Sequence, residues 1–273
     1  MAFDLADLRR SLSLVSVEDG VVTGENLDIG YYRIFGGQLL AQAIVAASDA
    51  SPGKAVKSLT MLFPREGDTS QPLRYRVEKL QDGRTFGTTQ IVASQETKVI
   101  AAAVVSMHVD EDGLHRSDEL PEVGPPGDAP VIDLGMVPWE VRAVGGVDLG
   151  DPAAGPPDLH LWMRTPPLDD DRPAVHQALL AHATDLTLIG TALRPLEGVS
   201  QADSTVSLHT AVTSHSLWFH QPFRMDDWVL LSQHSPVVAK GRSFGRGEVF
   251  TASGEVVASY AQEAMVRQIE PAS

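Results

Sequence analysis

Two kinds of hydrophobic patterning alternate along this chain, and each occurs twice. Short alternating or continuous apolar runs predict strands near residues 56–63, 72–80, 84–95 and 98–109, divided at Asp82-Gly83 and at the polar Gln95-Glu96-Thr97. A second group follows near 205–222, 228–238, 242–252 and 256–267. Ahead of each group lies one crowded apolar helix. The first occupies the segment Tyr31 to Ser48, where Gly36-Gly37 gives an entrance without side chains, and it stops before Pro52. The second is predicted over His176 to Ile189, behind the acidic capping residues Asp169-Asp170-Asp171 and Pro173 at a first-turn position. Residues 12–28 read as one or two strands broken at Asp19-Gly20. Trp139 to Val147 and Leu159 to Arg164 read as the strands that open the second half.

The repetition extends to the residues themselves. Gly83-Arg84-Thr85-Phe86-Gly87 is echoed by Gly241-Arg242-Ser243-Phe244-Gly245, 158 residues on. The same step pairs Ser58-Leu59 with Ser216-Leu217, Pro64 with Pro222, Asp68 with Asp226, Ala103 with Ala261 and Met107 with Met265. A register kept that long predicts two copies of one fold. Each helix is too apolar to leave a face in water, so its sheet must wrap it. The expected architecture is α+β: a double hotdog, in which two repeats each fold an antiparallel sheet around a long apolar helix and share one continuous sheet. Asp110 to Pro130 is acidic and without apolar period, and ten of the 18 prolines fall between Pro121 and Pro167. The predicted organisation is a first hotdog over 1–110, a linker over 111–135 and a second hotdog over 136–273.

Composition narrows the function without naming it. With 43% hydrophobic and 21% charged residues, the chain is of ordinary globular type. Its longest apolar run, Val99 to Val105, is roughly a third of a membrane-spanning helix. The amino terminus carries acids where a secretory signal needs positive charge, so no export and a cytoplasmic location are expected. The absence of cysteine excludes disulfides, thiolate metal sites and a cysteine nucleophile, and fits a reducing compartment. A net charge of −15 argues against a nucleic-acid surface. It leaves room for one anionic small molecule, with Lys57, Arg65, Arg84, Lys240 and Arg242 as the available cations or as scattered surface charge.

Two residues stand out chemically. Asp185 has Ala181, His182, Leu188 and Ile189 at helical spacing, which places a carboxylate on a buried stripe. Such a group has either a raised pKa or firm hydrogen bonds, and both suit a base that activates water. The alternative is a helix-end aspartate that caps the helix or pairs with His182. Gln262 shares a strand face with Ala258, Tyr260, Ala264 and Val266, so its amide points into an apolar layer, where it can donate to a carboxylate and accept from water. The constant step of 158 places Val104 opposite it in the first half, which suggests chemistry kept in one half only. The stretch Ser207 to His220 holds three histidines, yet no His-Glu-x-x-His or Gly-x-Ser-x-Gly pattern occurs, and neither a metal nor a cofactor is expected.

These segments together resemble the acyl-CoA thioesterase II family. Phe35-Gly-Gly-Gln-Leu-Leu-Ala-Gln-Ala43 is similar to its first helix entrance, Leu80-Gln-Asp-Gly-Arg-Thr-Phe86 to its hairpin, and His215-Ser-Leu-Trp-Phe-His-Gln-Pro-Phe-Arg224 with Asp227-Trp228 to its second-half signature. Thr184-Asp-Leu186, Gln262-Glu263 and Met265-Val-Arg267 complete the likeness. The resemblance implies hydrolysis of acyl-CoA thioesters by a water held by an aspartate, a glutamine and a Ser or Thr hydroxyl. The first two carry over to Asp185 and Gln262. The hydroxyl does not, because Val212 stands at its place; Thr210 and Ser214 share its strand parity and become candidates, with Thr213 directed to the other face unless a bulge intervenes. Substrate contacts are expected from Gly36, Gly37 and Gln38, where backbone N–H groups of Gly37 or Gln38 stabilise the oxyanion, and from Arg84 and Arg242. A homo-oligomer is expected as well. Two other readings stay open: a non-catalytic acyl-CoA or lipid-binding protein, motivated by Val212, and hydration of an enoyl thioester by Asp185 with His182.

Overall fold

The computed structural model describes residues 3–269; Met1, Ala2 and residues 270–273, which the predicted boundaries include, lie outside the described residues. A short helix α1 (Leu5–Ser11) precedes strands β1 (Val15–Glu18) and β2 (Val21–Gly24), then α2 (Gly36–Ala50). Strands β3 (Ala55–Leu62), β4 (Leu73–Asp82), β5 (Phe86–Gln95) and β6 (Lys98–His108) finish the first half. The second opens with β7 (Val131–Ile132), which lies inside the segment 111–135 predicted as linker and pairs with the next strand, then β8 (Glu140–Ala143) and β9 (Asp158–Arg164). Helices α3 (Pro173–Thr184) and α4 (Leu188–Leu193) and strands β10 (Leu208–Phe219), β11 (Val229–Ala239), β12 (Arg242–Thr251) and β13 (Val256–Gln268) follow.

The thirteen strands of the described residues form one antiparallel sheet in the order β1-β2-β4-β5-β6-β3-β10-β13-β12-β11-β9-β8-β7. The halves meet where β3 pairs with β10, and Leu59 lies opposite Leu217, its own repeat counterpart. A local twofold therefore passes through that pair. The sheet curls around α2 and α3, which pack on each other. Gly37 to Ala47 of α2 and Val175 to Thr184 of α3 are buried without interruption. This is the double hotdog that the two apolar helices require.

Helix α1 was not anticipated, although Asp4 and Asp7 form a reciprocal capping box at its start. The buried glutamines of α2 tie the amino-terminal segment down. Gln42 Nε2 donates to the carbonyls of Ser11 (2.8 Å) and Glu25 (3.0 Å), and Gln38 Oε1 accepts from the Leu27 N–H at 2.9 Å. The Gln38 side chain is thus structural, not a substrate contact. Between Asp110 and Pro130 the only regular element among the described residues is a single 3₁₀ turn, Pro126–Asp128.

Two expectations need correction. The helix predicted through Ile189 breaks at Asp185, which sits beyond the last turn of α3 with φ −75° and ψ −18°. Thr184 contributes to the stop, because its hydroxyl takes the Ala181 carbonyl at 3.0 Å. The repeat also does not keep one offset to its end. Gly87 lies opposite Met107 and Gly245 opposite Gln262, so the β6 and β13 counterparts, residues 107 and 262, are 155 apart, while Gly87 and Gly245 are 158 apart. Met107, fully buried, is therefore the first-half counterpart of Gln262. Val104 faces outward and is 49% exposed. The asymmetry inferred from the sequence survives with a different apolar residue in its place.

Candidate active site

Asp185 reaches the seam between the halves because α3 ends there and the start of α2 lies against it. Both glycines are needed for that approach. A Cβ on Gly36 would stand 2.6 Å from Asp185 Oδ2, and one on Gly37 would stand 2.4 Å from the His182 carbonyl oxygen. The carboxylate is 5% exposed, and burial pushes its pKa up to about 7 against the opposing pull of the Gly37 N–H, the Gln262 amide and the Arg33 charge.

Gln262 arrives from β13 on the buried face. Its Nε2 donates to Asp185 Oδ1 at 3.0 Å, to the Asp185 carbonyl at 3.1 Å and to His215 Nδ1 at 3.2 Å. These partners fix which way the amide points. Gln262 Oε1 is buried and has no partner among the described residues. His215 was not singled out from the sequence. Its Nε2 lies 3.1 Å from Thr184 Oγ1, whose own proton goes to the Ala181 carbonyl, so the ring must donate there and carry its proton on Nε2. Burial depresses its pKa to about 3, and the ring stacks on Tyr260. A neutral His215 with Nδ1 3.8 Å from Asp185 Oδ1 is no charged partner for the carboxylate. It is the acceptor that sets the Gln262 amide.

A bulge in β10 decides the remaining candidates. The register with β13 shifts between Val212 and Ser214, so Val212 faces Ala264 and His215 faces Gln262, both on the buried side. Ser214 is thereby turned to the outer face with Ser216 and Trp218, away from Asp185. Thr213, the bulged residue, donates to the Glu263 carbonyl at 3.0 Å and accepts from Arg242 at 2.9 Å. Thr210 stays with the site: it lines the same cavity of about 450 Å³ as Asp185, Gly36 and Val212, and its hydroxyl donates to Ser204 Oγ at 3.2 Å.

The expected oxyanion donors are engaged already. The Gly37 N–H is on Asp185, and the Gln38 N–H is on the Phe35 carbonyl at 3.1 Å. Gly36 N–H has no partner among the hydrogen bonds of the described residues. Arg84 is exposed in the β4–β5 turn and lines no part of this cavity, and Arg242 is held by Glu263 and Thr213. Two cations do line it: Arg65, one of those the sequence offered, and Arg33, another residue the sequence reading passed over. Arg33 donates to the Thr210 carbonyl at 2.9 Å, pairs with Glu66 and lies over the rings of Tyr31 and Tyr32. Its position just ahead of Gly36-Gly37 was the available signal. His182 donates to the Met136 carbonyl at 2.8 Å rather than pairing with Asp185.

Fused halves, two wrapped helices and one polar pair at their seam define the class as a double-hotdog protein. Residues 24–108 match the acyl-CoA thioesterase N-terminal domain family and residues 116–266 the acyl-CoA thioesterase C-terminal domain family. The chain is 31% identical to acyl-CoA thioesterase 2 of Haemophilus influenzae, over 96% of this chain and 98% of that one. It is 29% identical to acyl-coenzyme A thioesterase 8 of Mus musculus, over 97% and 92%. The crystal structure of the acyl-CoA thioesterase II TesB2 from Mycobacterium marinum superposes with a TM-score of 0.82 at 30% identity, over 96% of this chain and 99% of that one. The chain belongs to the acyl-CoA thioesterase II family.

Proposed function

We propose that Asp185 acts as general base on a water that also donates to Gln262 Oε1, and that this water attacks the thioester carbonyl of an acyl-CoA. The family sets the reaction: acyl-CoA and water give the free acid and CoA. The observation that carries the assignment of residues is the orientation of the Gln262 amide. With both N–H groups committed to Asp185 and His215, the one free atom is an acceptor beside a carboxylate. A water giving one proton to each keeps a lone pair for the carbonyl carbon. A carboxyl pKa of about 7 suits it to take that proton near neutrality. No covalent intermediate is needed.

The tetrahedral oxyanion is assigned to the Gly36 N–H, at the positive end of α2. The acyl chain is assigned to the cavity walled by Ile34, Phe35, Leu39 and Ile189. Thr210 is too committed to Ser204 to serve as the third water partner, which leaves two. The test is release of CoA from a panel of acyl-CoAs by the unaltered protein and by Asp185→Asn. Equal, slow release by both at every chain length removes the assignment. Tight acyl-CoA binding without turnover supports instead the binding-protein reading that Val212 motivates.

No helix among the described residues is long and apolar enough to cross a membrane. The cysteine-free composition supports a cytoplasmic location. The sheet edges β1 and β7 support association into a homo-oligomer, which light scattering of the purified protein tests.

A further inference from the structure

A second cavity, of about 830 Å³, is walled by the start of α3, the start of β3 and the segment after β10, and shares no lining residue with the first. The local twofold relates the two. Pro64 and Glu66 on the wall of the Asp185 cavity have Pro222 and Arg224, 158 residues on, on the wall of the larger one. The helix caps Phe35 and Arg172 are 137 apart, and that step carries Leu39, on the first wall, to His176, on the second. The catalytic groups have no counterpart here. Met107 stands for Gln262, and the same helical step places Ser48 for Asp185.

A spare pocket in an apolar core is expected to be lined by apolar side chains. Instead, His176 and Gln177 occupy the positions where α2 has Leu39 and Leu40, and they are only 2% and 7% exposed. The Met225 N–H donates to His176 Nδ1 at 3.1 Å, so the neutral ring carries its proton on Nε2, which makes no well-aligned hydrogen bond among the described residues and is drawn only towards the Asp170 carbonyl. Gln177 Nε2 donates to the Val56 carbonyl at 2.9 Å, and its Oε1 has no partner. The wall therefore holds, on adjacent residues, one acceptor with no partner among the described residues and one donor that is poorly matched. Such groups are costly to leave buried and unpaired.

A secondary amide answers both, with its carbonyl for His176 and its N–H for Gln177. An ionised carboxylate offers acceptors only and would oppose Gln177 Oε1. Phosphates are disfavoured, because Asp110, Asp171 and Asp227 share the wall with Lys57 and Arg224, and Arg224 is already paired with Asp171 and Asp226. We propose that this cavity is a second, non-catalytic site that binds the amide-containing pantetheine arm of a CoA thioester, with the phosphate-bearing end left outside it. The choice of arm rests on acyl-CoA being the substrate of the first site.

Calorimetric titration with S-octyl-pantetheine, a thioether that cannot be hydrolysed, is expected to show two binding events per chain. The double variant His176→Leu/Gln177→Leu, which takes the residues of α2 at those positions, is expected to show one. An analogue with ester oxygens in place of both amide N–H groups is expected to weaken at least one event in the unaltered protein about tenfold. A single event in the unaltered protein, two unchanged events in the double variant, or equal binding of the ester analogue overturns the proposal. The ester comparison needs no variant, so it stands even if the double variant does not fold. Octanoyl-CoA hydrolysis on the same preparation separates the two readings. Asp185-dependent turnover with a single binding event removes the second site alone. Two events without turnover remove the catalytic assignment and leave the amide site.

Discussion

Gln262 donates to Asp185 Oδ1 at 3.0 Å and presents no other free atom than its own carbonyl oxygen. Asp185→Asn keeps the shape and removes the base. Its kcat is expected to fall by about 10²–10⁴ in acyl-CoA hydrolysis, the span that general-base catalysis covers. The unaltered enzyme should lose kcat/KM below a midpoint near pH 7, because burial holds the carboxyl at about 7. A flat profile from pH 5.5 to 8.5 would remove Asp185 as the base.

The same variant should be more stable. A carboxyl raised from 3.8 to about 7 contributes its full stability while protonated in both states, below about pH 4, and loses it as pH rises through about 7. At pH 7.5, urea unfolding of Asp185→Asn is expected to show a gain of about 1–3 kcal/mol. Activity and stability therefore move in opposite directions at this position.

On the proposed mechanism His215 acts as a positioning residue, through its contact with the Gln262 amide. His215→Leu removes the acceptor that orients the Gln262 amide, and kcat is expected to drop about tenfold with KM unchanged. His215→Asn, which can place a carbonyl oxygen where Nδ1 was, should recover part of the loss. A purely structural role would instead lower both variants' stability and spare the kcat of the folded fraction.

Gly36→Ala places a methyl 2.6 Å from the Asp185 carboxylate, and Gly37→Ala places one 2.4 Å from a backbone oxygen. The first should abolish most turnover in a folded protein. The second should cost about 1–3 kcal/mol of stability, as overpacking does, because a carbonyl cannot swing aside. Denaturant midpoints and CoA release on the pair distinguish the two outcomes.

Val212→Thr adds a hydroxyl to the wall that Asp185 shares. A third partner for the water should raise kcat several-fold without moving the pH midpoint. Unchanged kcat would show that the water already has the contacts it needs.

Buried histidines should govern the acid limb of stability. Burial depresses His182 to about 4 and His215 to about 3, so the stability they permit is full above about pH 6.5 and declines as pH falls towards those values. Between pH 4 and 6.5 these two oppose the single Asp185 carboxyl. Burial lowers His160, His176 and His220 as well, so the net slope should be a rise of stability with pH, measurable by urea unfolding.

Much of this was legible in the residues, because the signals were local. Gly36-Gly37 marked a close approach, and the alternation in β13 put Gln262 inside. What failed depended on contacts between distant segments. The true partner of Gln262 was hidden because the β5–β6 and β12–β13 pairings differ by three residues, as the steps of 158 and 155 show, and no composition signals that. Three histidines, His209, His215 and His220, are spread from the start of β10 to just past its end, and only the bulge after Val212 decides that His215 faces inward. The sequence left Asp185 open between a buried helical stripe and a helix end, because the hydroxyl of Thr184 and the neighbouring α2, which help to end α3, are not visible in a one-dimensional period.

Continuity of β3 with β10 makes the ancestry of the chain irreversible. The half with no counterpart of Asp185 and Gln262 supplies the glycine pair that lies against Asp185 and His182, so neither half keeps that contact without the other. Severing the chain in the 110–130 segment should leave two fragments that work only when they reassociate, and inherited changes around residues 36 and 37 will read as active-site changes although they sit in the half without a base.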